Sequence, residues 1–306
     1  MLRLAHISDL HFSDSVNVPV GRLLNKRITG FVNFHFHRRF QYSRALLDLV
    51  LGSVRDAKAA HIVVTGDVSN LSLGAEFAGV RELFERYGFR PGDVSVVPGN
   101  HDRYTKGSER TQRFEGYLMP FMSSDLPSGP HAFPYVRLRG EIAIIGVNSA
   151  LSLPPLFAGG QIGIEQLTRL EAVLHHPDLQ DRFPVILIHH PPYRHPRRSL
   201  HAMEGLRDFG DLLQAVAAPR ALILHGHLHK NIHRKVTVDG RTFHVSGVAA
   251  SSYRLGGPAS PALSSFAMYD IDRQGIHSVR CFTYRAPEGR YEPAAVGEDA
   301  FLPADL

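Results

Sequence analysis

The stretch Leu2-Arg3-Leu4-Ala5-His6-Ile7-Ser8-Asp9-Leu10-His11 decides the fold. Residues 2–7 form a short apolar run that reads as a buried β-strand, with His6 inside it, and the run stops at a loop carrying Asp9 and His11. The same unit, a strand that ends on metal-capable side chains, recurs down the chain. Residues 61–65 form a second strand, stopped by Gly66-Asp67. Residues 94–97 form a third, followed by Gly99-Asn100-His101-Asp102. Residues 184–188 run into His189-His190-Pro191-Pro192, and residues 221–224 into His225-Gly226-His227-Leu228-His229.

Helical stretches separate these strands. Residues 43–60 carry Leu46, Leu47, Val50 and Val54 at helical spacing, and residues 75–87 precede Gly88, a C-cap residue. Further helices are expected at 164–174 and 208–216, and a further strand at 141–147. From residue 235 the texture changes to strands without long helices, at 235–238, 242–245, 264–271 and 275–283. Strand, loop, helix, strand is the mark of an α/β sheet. Ligand sites in such sheets lie at the carboxyl ends of the strands, so five loops spread from Asp9 to His229 are expected at one edge. No repeat and no linker divides the chain. The expectation is one α/β domain over 1–284, with an antiparallel β portion in its second half. Residues 285–306, rich in Pro, Gly, Ala and Glu, are expected to form a loosely ordered tail.

The donors are carboxylate, imidazole and carboxamide, with no thiolate. That set suits Mn, Fe or Zn at a reactive centre rather than a structural zinc site. One carboxylate can bridge two ions, and two metals roughly 3.5–4 Å apart can clamp a phosphate and activate a water. Singly, each motif has an ordinary reading: Asp-x-His arises by chance, Gly-Asp is a turn, and Gly-His-x-His is a loop. Five in order, each at a strand end, favour a shared site.

Together these residues resemble the calcineurin-like metallophosphoesterase family, over about residues 2–229. The resemblance implies a four-layer α-β-β-α sandwich of two mixed sheets flanked by helices. It implies an enzyme, a binuclear metal-dependent phosphoric ester hydrolase with two divalent or transition metal ions. By resemblance, Asp9, His11 and His229 ligate the first ion, Asp67 bridges, and Asn100, His189 and His227 ligate the second. His189 is taken over His190 because it directly follows the apolar run. His101 is then the catalytic histidine that contacts the phosphate and protonates the leaving oxygen, with Asp102 orienting it. His225 reads as a packing or supporting residue.

Composition bounds the rest. The chain has 306 residues, 43% hydrophobic and 21% charged, which excludes disorder and fibrous repeats. No apolar run reaches the roughly 18 residues of a membrane span, and no signal peptide is expected. A single cysteine, Cys281, cannot form an intramolecular disulfide, so a reducing compartment, the cytoplasm, is expected. Net charge is only +5, but its distribution is uneven. Between Asp14 and Asp48 there is no acid, while Arg22, Lys26, Arg27, Arg38, Arg39 and Arg44 all fall there.

Within that stretch, residues 20–40 repeat apolar side chains every fourth position (Leu24, Ile28, Val32, Phe36, Phe40), with Phe31 and Phe34 beside them. A basic amphipathic segment of this kind reads either as a cap making peripheral contact with the inner membrane surface or as a lid packed on the domain. Gly30 weakens a continuous helix. A second insertion, 191–201, carries Arg194, Arg197 and Arg198, which could meet phosphate oxygens or simply be solvated. The substrate is expected to be a phosphorylated small molecule or a lipid-linked nucleotide. The lipid version resembles the UDP-2,3-diacylglucosamine hydrolases, some of which carry a basic hydrophobic cap over the site. A cyclic-nucleotide or glycerophosphodiester phosphodiesterase is the alternative, since those enzymes have similar Asn-His-Asp and His-His-Pro-Pro sequences. A non-catalytic scaffold would not need the complete ligand set. No aromatic-interleaved groove is readable, so no nucleic acid partner is expected.

Overall fold

Apolar runs such as Ile142–Gly146 and Phe183–Leu187, buried at every residue, form strands covered on both faces. The computed structural model describes residues 1–13, 42–127, 130–195, 197–216, 220–238, 240–253, 264–285, 288–294 and 302–303. The basic segment 20–40 lies outside the described residues. In chain order the strands are β1 (Leu2–Ile7), β2 (His61–Val64), β3 (Val94–Val96), β4 (Tyr135–Arg139), β5 (Ile142–Gly146), β6 (Phe183–Leu187), β7 (Arg220–His225), β8 (Ile232–Val238), β9 (Arg241–Gly247), β10 (Ser265–Asp272), β11 (Gly275–Arg285), β12 (Arg290–Ala294) and β13 (Leu302–Pro303). The α-helices are α1 (Arg44–Asp56), α2 (Gly74–Arg86), α3 (Lys106–Arg110), α4 (Arg113–Leu118), α5 (Ile164–Leu174), α6 (Arg198–Glu204) and α7 (Phe209–Ala215).

Two mixed sheets result. One runs β12-β11-β10-β1-β2-β3, the other β13-β8-β9-β7-β6-β5-β4. Their cores are parallel: β1, β2 and β3 in the first, and β5, β6, β7 and β9 in the second. The period-2 alternation of β-strands divides the apolar side chains between layers. Ile144, Val185, Leu187, Leu222 and Leu224 join the core shared with the first sheet and with α1 and α2. The intervening residues Ala143, Ile145, Ile186, Ile188 and Ile223 pack instead with Leu167 and Leu170 of α5 and Leu212 and Leu213 of α7. The layers are therefore helix, sheet, sheet, helix, the architecture expected from the motif resemblance.

Two side chains of β4 tie the edges of the two sheets together. The Tyr135 hydroxyl donates to the Val96 carbonyl of β3 at 2.8 Å. Arg137, fully buried, donates to the carbonyls of Pro91, Val94, Pro120 and Ser123 and to the Ser123 hydroxyl, at 2.6–3.1 Å. A guanidinium spread over neutral acceptors is a costly group to bury, and only its planar fork reaches all of them. The same residue hides the strand in the sequence, because Arg137 and Arg139 break its apolar pattern.

Of the loose tail expected over 285–306, residues 286–287, 295–301 and 304–306 lie outside the described residues, and the part at 290–294 is a paired strand. β11 extends to Arg285, and Arg290–Ala294 pairs with it as β12 at the sheet edge. Tyr291 explains the order: its ring packs 5.2 Å from Phe266. Pro293 is tolerated because an edge strand has no further ladder to complete. His6 is fully buried, as its place in the first strand implies.

Arg137→Ala should destabilise the fold by at least about 3 kcal/mol, since several buried carbonyls lose their donors. Arg137→Lys should rescue little of this, because an ammonium cannot span the same acceptors. Urea midpoints for both variants test it, and a near-native Lys variant would contradict the fork argument.

Candidate metal centre

Strand register brings the motif loops to one level. Ile7 pairs with Val64 and Val64 with Val96, so the loops carrying Asp9, Asp67 and Asn100 leave the first sheet side by side. Leu187 pairs with Leu224, which sets the His189 and His227 loops together on the second. Backbone bonds lace these loops: Asp9 N to Gly66 O (3.0 Å), His11 N to Asp67 O (2.9 Å) and Gly226 N to His189 O (3.1 Å). Asp9 adds a side-chain tie, its Oδ2 accepting from the His227 amide at 3.1 Å.

This lacing strains the backbone. Asp9, His11, Asp67, His227 and His229 all adopt positive φ, between 41° and 70°. L-residues seldom sit in that region, and clusters of such residues mark functional sites. Glycines make room between the loops. A Cβ on Gly99 would collide with the Asp67 carboxylate, and one on Gly226 would collide with the Ser8 hydroxyl and lie 2.6 Å from Asp9 Oδ2.

Two groups of donors converge. Asp9, His11 and His229 offer ligand atoms within 4.8 Å of one another. In that group His229 Nε2 lies 3.2 Å from Asp9 Oδ1 and 3.3 Å from His11 Nε2. In the second group Asn100 Oδ1 lies 3.1 Å from both His189 Nε2 and His227 Nδ1. Asp67 belongs to both neighbourhoods, clustering with Asp9 and His189 and also with His11 and His101. The arrangement fits a pair of cations. Nε2 atoms of two imidazoles face each other at 3.3 Å, where neutral rings can share only one proton. Two carboxylates, each no more than 2% exposed, lie among them.

Charge reinforces that fit. Burial alone would raise Asp9, but the His229 ring and its hydrogen bond outweigh it and hold the carboxyl well below the usual range. Burial also opposes ionisation of Asp67, and the rings of His189 and His101 overcome it. Burial, reinforced by the His101 ring, drives His11 well below its ordinary value, and burial with the His189 ring takes His227 down to about 3. Both rings are neutral, the state in which imidazole binds metals. At His189, burial loses to the Asp67 charge, which lifts the ring to about 9.

Neighbouring groups fix the rings. His189 Nδ1 donates to the Thr65 carbonyl at 2.7 Å, which leaves Nε2 toward Asn100 and Asp67. His190, by contrast, has Nδ1 on the Ser149 hydroxyl (2.8 Å) and Nε2 on the Ala158 carbonyl (2.9 Å). His225 is buried and bonds the Gly226 carbonyl, a packing role. The structure corrects the role expected of Asp102. His101 Nδ1 is held by the Asn70 carbonyl at 2.8 Å. Asp102 instead accepts from the amides of Val68, Ser69 and Gly99 and from the Ser69 hydroxyl, clamping the second and third loops together. Burial and the nearby Asp67 charge push it up to about 7 against those donors.

Sequence reasoning missed several contributors. Thr65 and Asn70 act through backbone carbonyls, which leave no signature in residue type. Tyr104 stacks on His101 (centroids 5.6 Å apart, 17° between planes), and its position two residues after Asp102 was a readable signal. Tyr42 packs 4.4 Å from the His11 ring and 5.9 Å from Tyr253.

Known structures share this fold. A dimetal phosphatase from Danio rerio superposes with a TM-score of 0.56 at 15% identity, over 93% of this chain and 99% of that one. A purple acid phosphatase from yellow lupin (Lupinus luteus) seeds gives 0.55 at 13% identity, over 95% of this chain but only 52% of its own. At such identities the likeness shows the fold. No curated protein sequence matches the chain. A family model, calcineurin-like phosphoesterase, matches residues 2–231. With the ordered motifs, the sandwich and the converging donors in place, that match makes the chain a member of the calcineurin-like phosphoesterase family, a metal-dependent phosphoric ester hydrolase.

Proposed function

We propose that the chain hydrolyses a phosphodiester or pyrophosphate bond, with Asp9, His11 and His229 holding one metal ion, Asn100, His189 and His227 a second, and Asp67 shared between them. The observation that carries this reading is the place of Asp67 in both donor neighbourhoods. When bound, such a pair neutralises phosphoryl charge and makes a water acidic enough to attack near neutral pH. Mn, Fe and Zn all suit these oxygen and nitrogen donors.

The chain's own residues supply the rest. His101 Nδ1 faces a carbonyl, so it must carry a proton there. Nε2 then carries a second proton only in the imidazolium, and in that form His101 can protonate a leaving oxygen. The stacked Tyr104 holds the ring plane, and Asp102 acts as a brace for the loops rather than as a partner in proton transfer.

The substrate we propose is lipid-linked, a nucleotide diphosphate lipid such as UDP-2,3-diacylglucosamine, met by a cytoplasmic protein at the inner membrane surface. The acid-free, aromatic segment 20–40 supports that reading from the sequence. Among the described residues no helix is long and apolar enough to cross a membrane. A soluble cyclic-nucleotide or glycerophosphodiester is the second reading, favoured by the Asn-His-Asp and His-His-Pro-Pro motifs. Parallel assays of UDP-linked lipids and cyclic nucleotides with Mn²⁺ decide between them, and turnover of the cyclic nucleotide alone would reject the lipid.

Elemental analysis after reconstitution should approach two ions per chain, and Asp67→Ala should lose at least one. A single ion, unchanged by Asp67→Ala, would refute the shared carboxylate. His101→Ala should keep its metal yet lose about 10²–10⁴-fold on poor leaving groups. The loss on nitrophenyl esters should be much smaller, because nitrophenolate needs little protonation. Equal losses on both would show that His101 is not the acid.

A further inference from the structure

Residues 150–163 contain no charged side chain. Their tip exposes what a soluble surface normally covers: Leu156 is 85% exposed and Phe157 44%, and Ile164, next along the chain, is 76% exposed. Leu156 also holds φ at +73°, a region bulky residues rarely occupy. The tip is nevertheless firmly based. Phe157 N closes a turn on the Pro154 carbonyl at 3.2 Å. Ala158 N bonds the Met203 carbonyl of α6 at 2.8 Å, and Gly160 N bonds that of Gly205 at 3.0 Å. The Ala158 carbonyl accepts from His190, the neighbour of His189, at 2.9 Å. Strain spent on holding apolar side chains out on a fixed base calls for a partner.

The base indicates what partner. Arg194, Arg197 and Arg198 lead into α6 and begin it, and all three are exposed. Over residues 194–205 the only acid is Glu204. α6 spans about 10 Å at 1.5 Å per residue, so Arg198 and the Met203 anchor are less than two helical turns apart. An uncharged apolar tip beside clustered arginines complements a surface that is anionic outside and apolar beneath. A second copy of this chain fits less well, because a two-fold contact would bring the arginine cluster near its own image.

We propose that the tip at 154–157, with Arg194, Arg197 and Arg198, docks the protein on an anionic lipid surface. The inference deepens the lipid-linked substrate reading and rests on it for its purpose, since docking would hold the His189 side of the metal centre near the lipid. Its test is independent of turnover. The chain contains no tryptophan, so Phe157→Trp supplies a single reporter. Leu156→Trp, at the more exposed position, serves if the first variant folds poorly.

With mixed phosphatidylglycerol–phosphatidylcholine vesicles at low salt, the emission should shift to the blue and brighten, and salt should reverse this. Pure phosphatidylcholine should give a far weaker response. Replacing the three arginines with Gln should weaken binding about a hundredfold, about fivefold per charge. Leu156→Ser should weaken it about tenfold. An unshifted emission on anionic vesicles, or equal binding to neutral ones, would overturn the proposal. So would a dimer in sedimentation that Leu156→Ser dissolves, which would assign the tip to a second copy. If vesicles bind but no lipid-linked diester is cleaved, the substrate reading fails and the docking surface stands.

Discussion

Two buried carboxylates set the terms for the rest of the molecule. Asp9 and Asp67 lie at adjacent strand ends with almost no water access, and both stay ionised. Uncompensated, a buried anion costs several kcal/mol, so the surroundings must return that energy. Part of it comes from the chain, through the His101 amide on Asp67 at 2.7 Å and the His227 amide on Asp9 at 3.1 Å. Imidazoles supply more. The proposed cation pair would supply the remainder, which makes metal content a matter of stability as well as of catalysis.

That arrangement explains why the loops are strained rather than relaxed. Five donor residues hold positive φ, and each such residue costs on the order of 1–3 kcal/mol. Parallel strands buried on both faces can carry that load, because the core fixes where each loop begins. The tie from Tyr135 and Arg137 to β3 stiffens the sheet that carries Asn100 and His101. Asp102, too deep to touch solvent, joins the second and third loops by backbone amides. Its work is mechanical, and its place beside a histidine in sequence suggested otherwise.

Much of this was legible in the residues themselves. Mostly apolar runs that end just before Asp9, Asp67, Asn100, His189 and His227 pointed to the sheet edge and to the candidate donors, because strand ends are marked locally by turn residues. What stayed hidden was non-local. β4 carries a buried Arg137 whose acceptors are carbonyls of distant turns, so its pattern reads as polar. β12 contains a proline and is ordered by contacts of Tyr291 with the rings of Phe266 and Tyr284. The choice of His189 over His190 was made on adjacency to the strand. The structure places both histidines beside His227, with the His190 nitrogens on Ser149 and Ala158 and those of His189 on Thr65 and Asn100.

The division of labour across the fold follows. Side chains that meet the proposed ions spring from strand ends, where ladder register sets which loops lie side by side. Groups that could select a substrate sit farther out, on Tyr42, Tyr253, Tyr104 and the segments 150–163 and 191–205. His190 is the joint between the two regions: it lies next to His189 in the chain, and its Nε2 fixes the exposed apolar loop through Ala158. That hydrogen bond, with those of Ala158 N and Gly160 N to the Met203 and Gly205 carbonyls, ties the base of the outer loop to the chain beside the metal-facing ring.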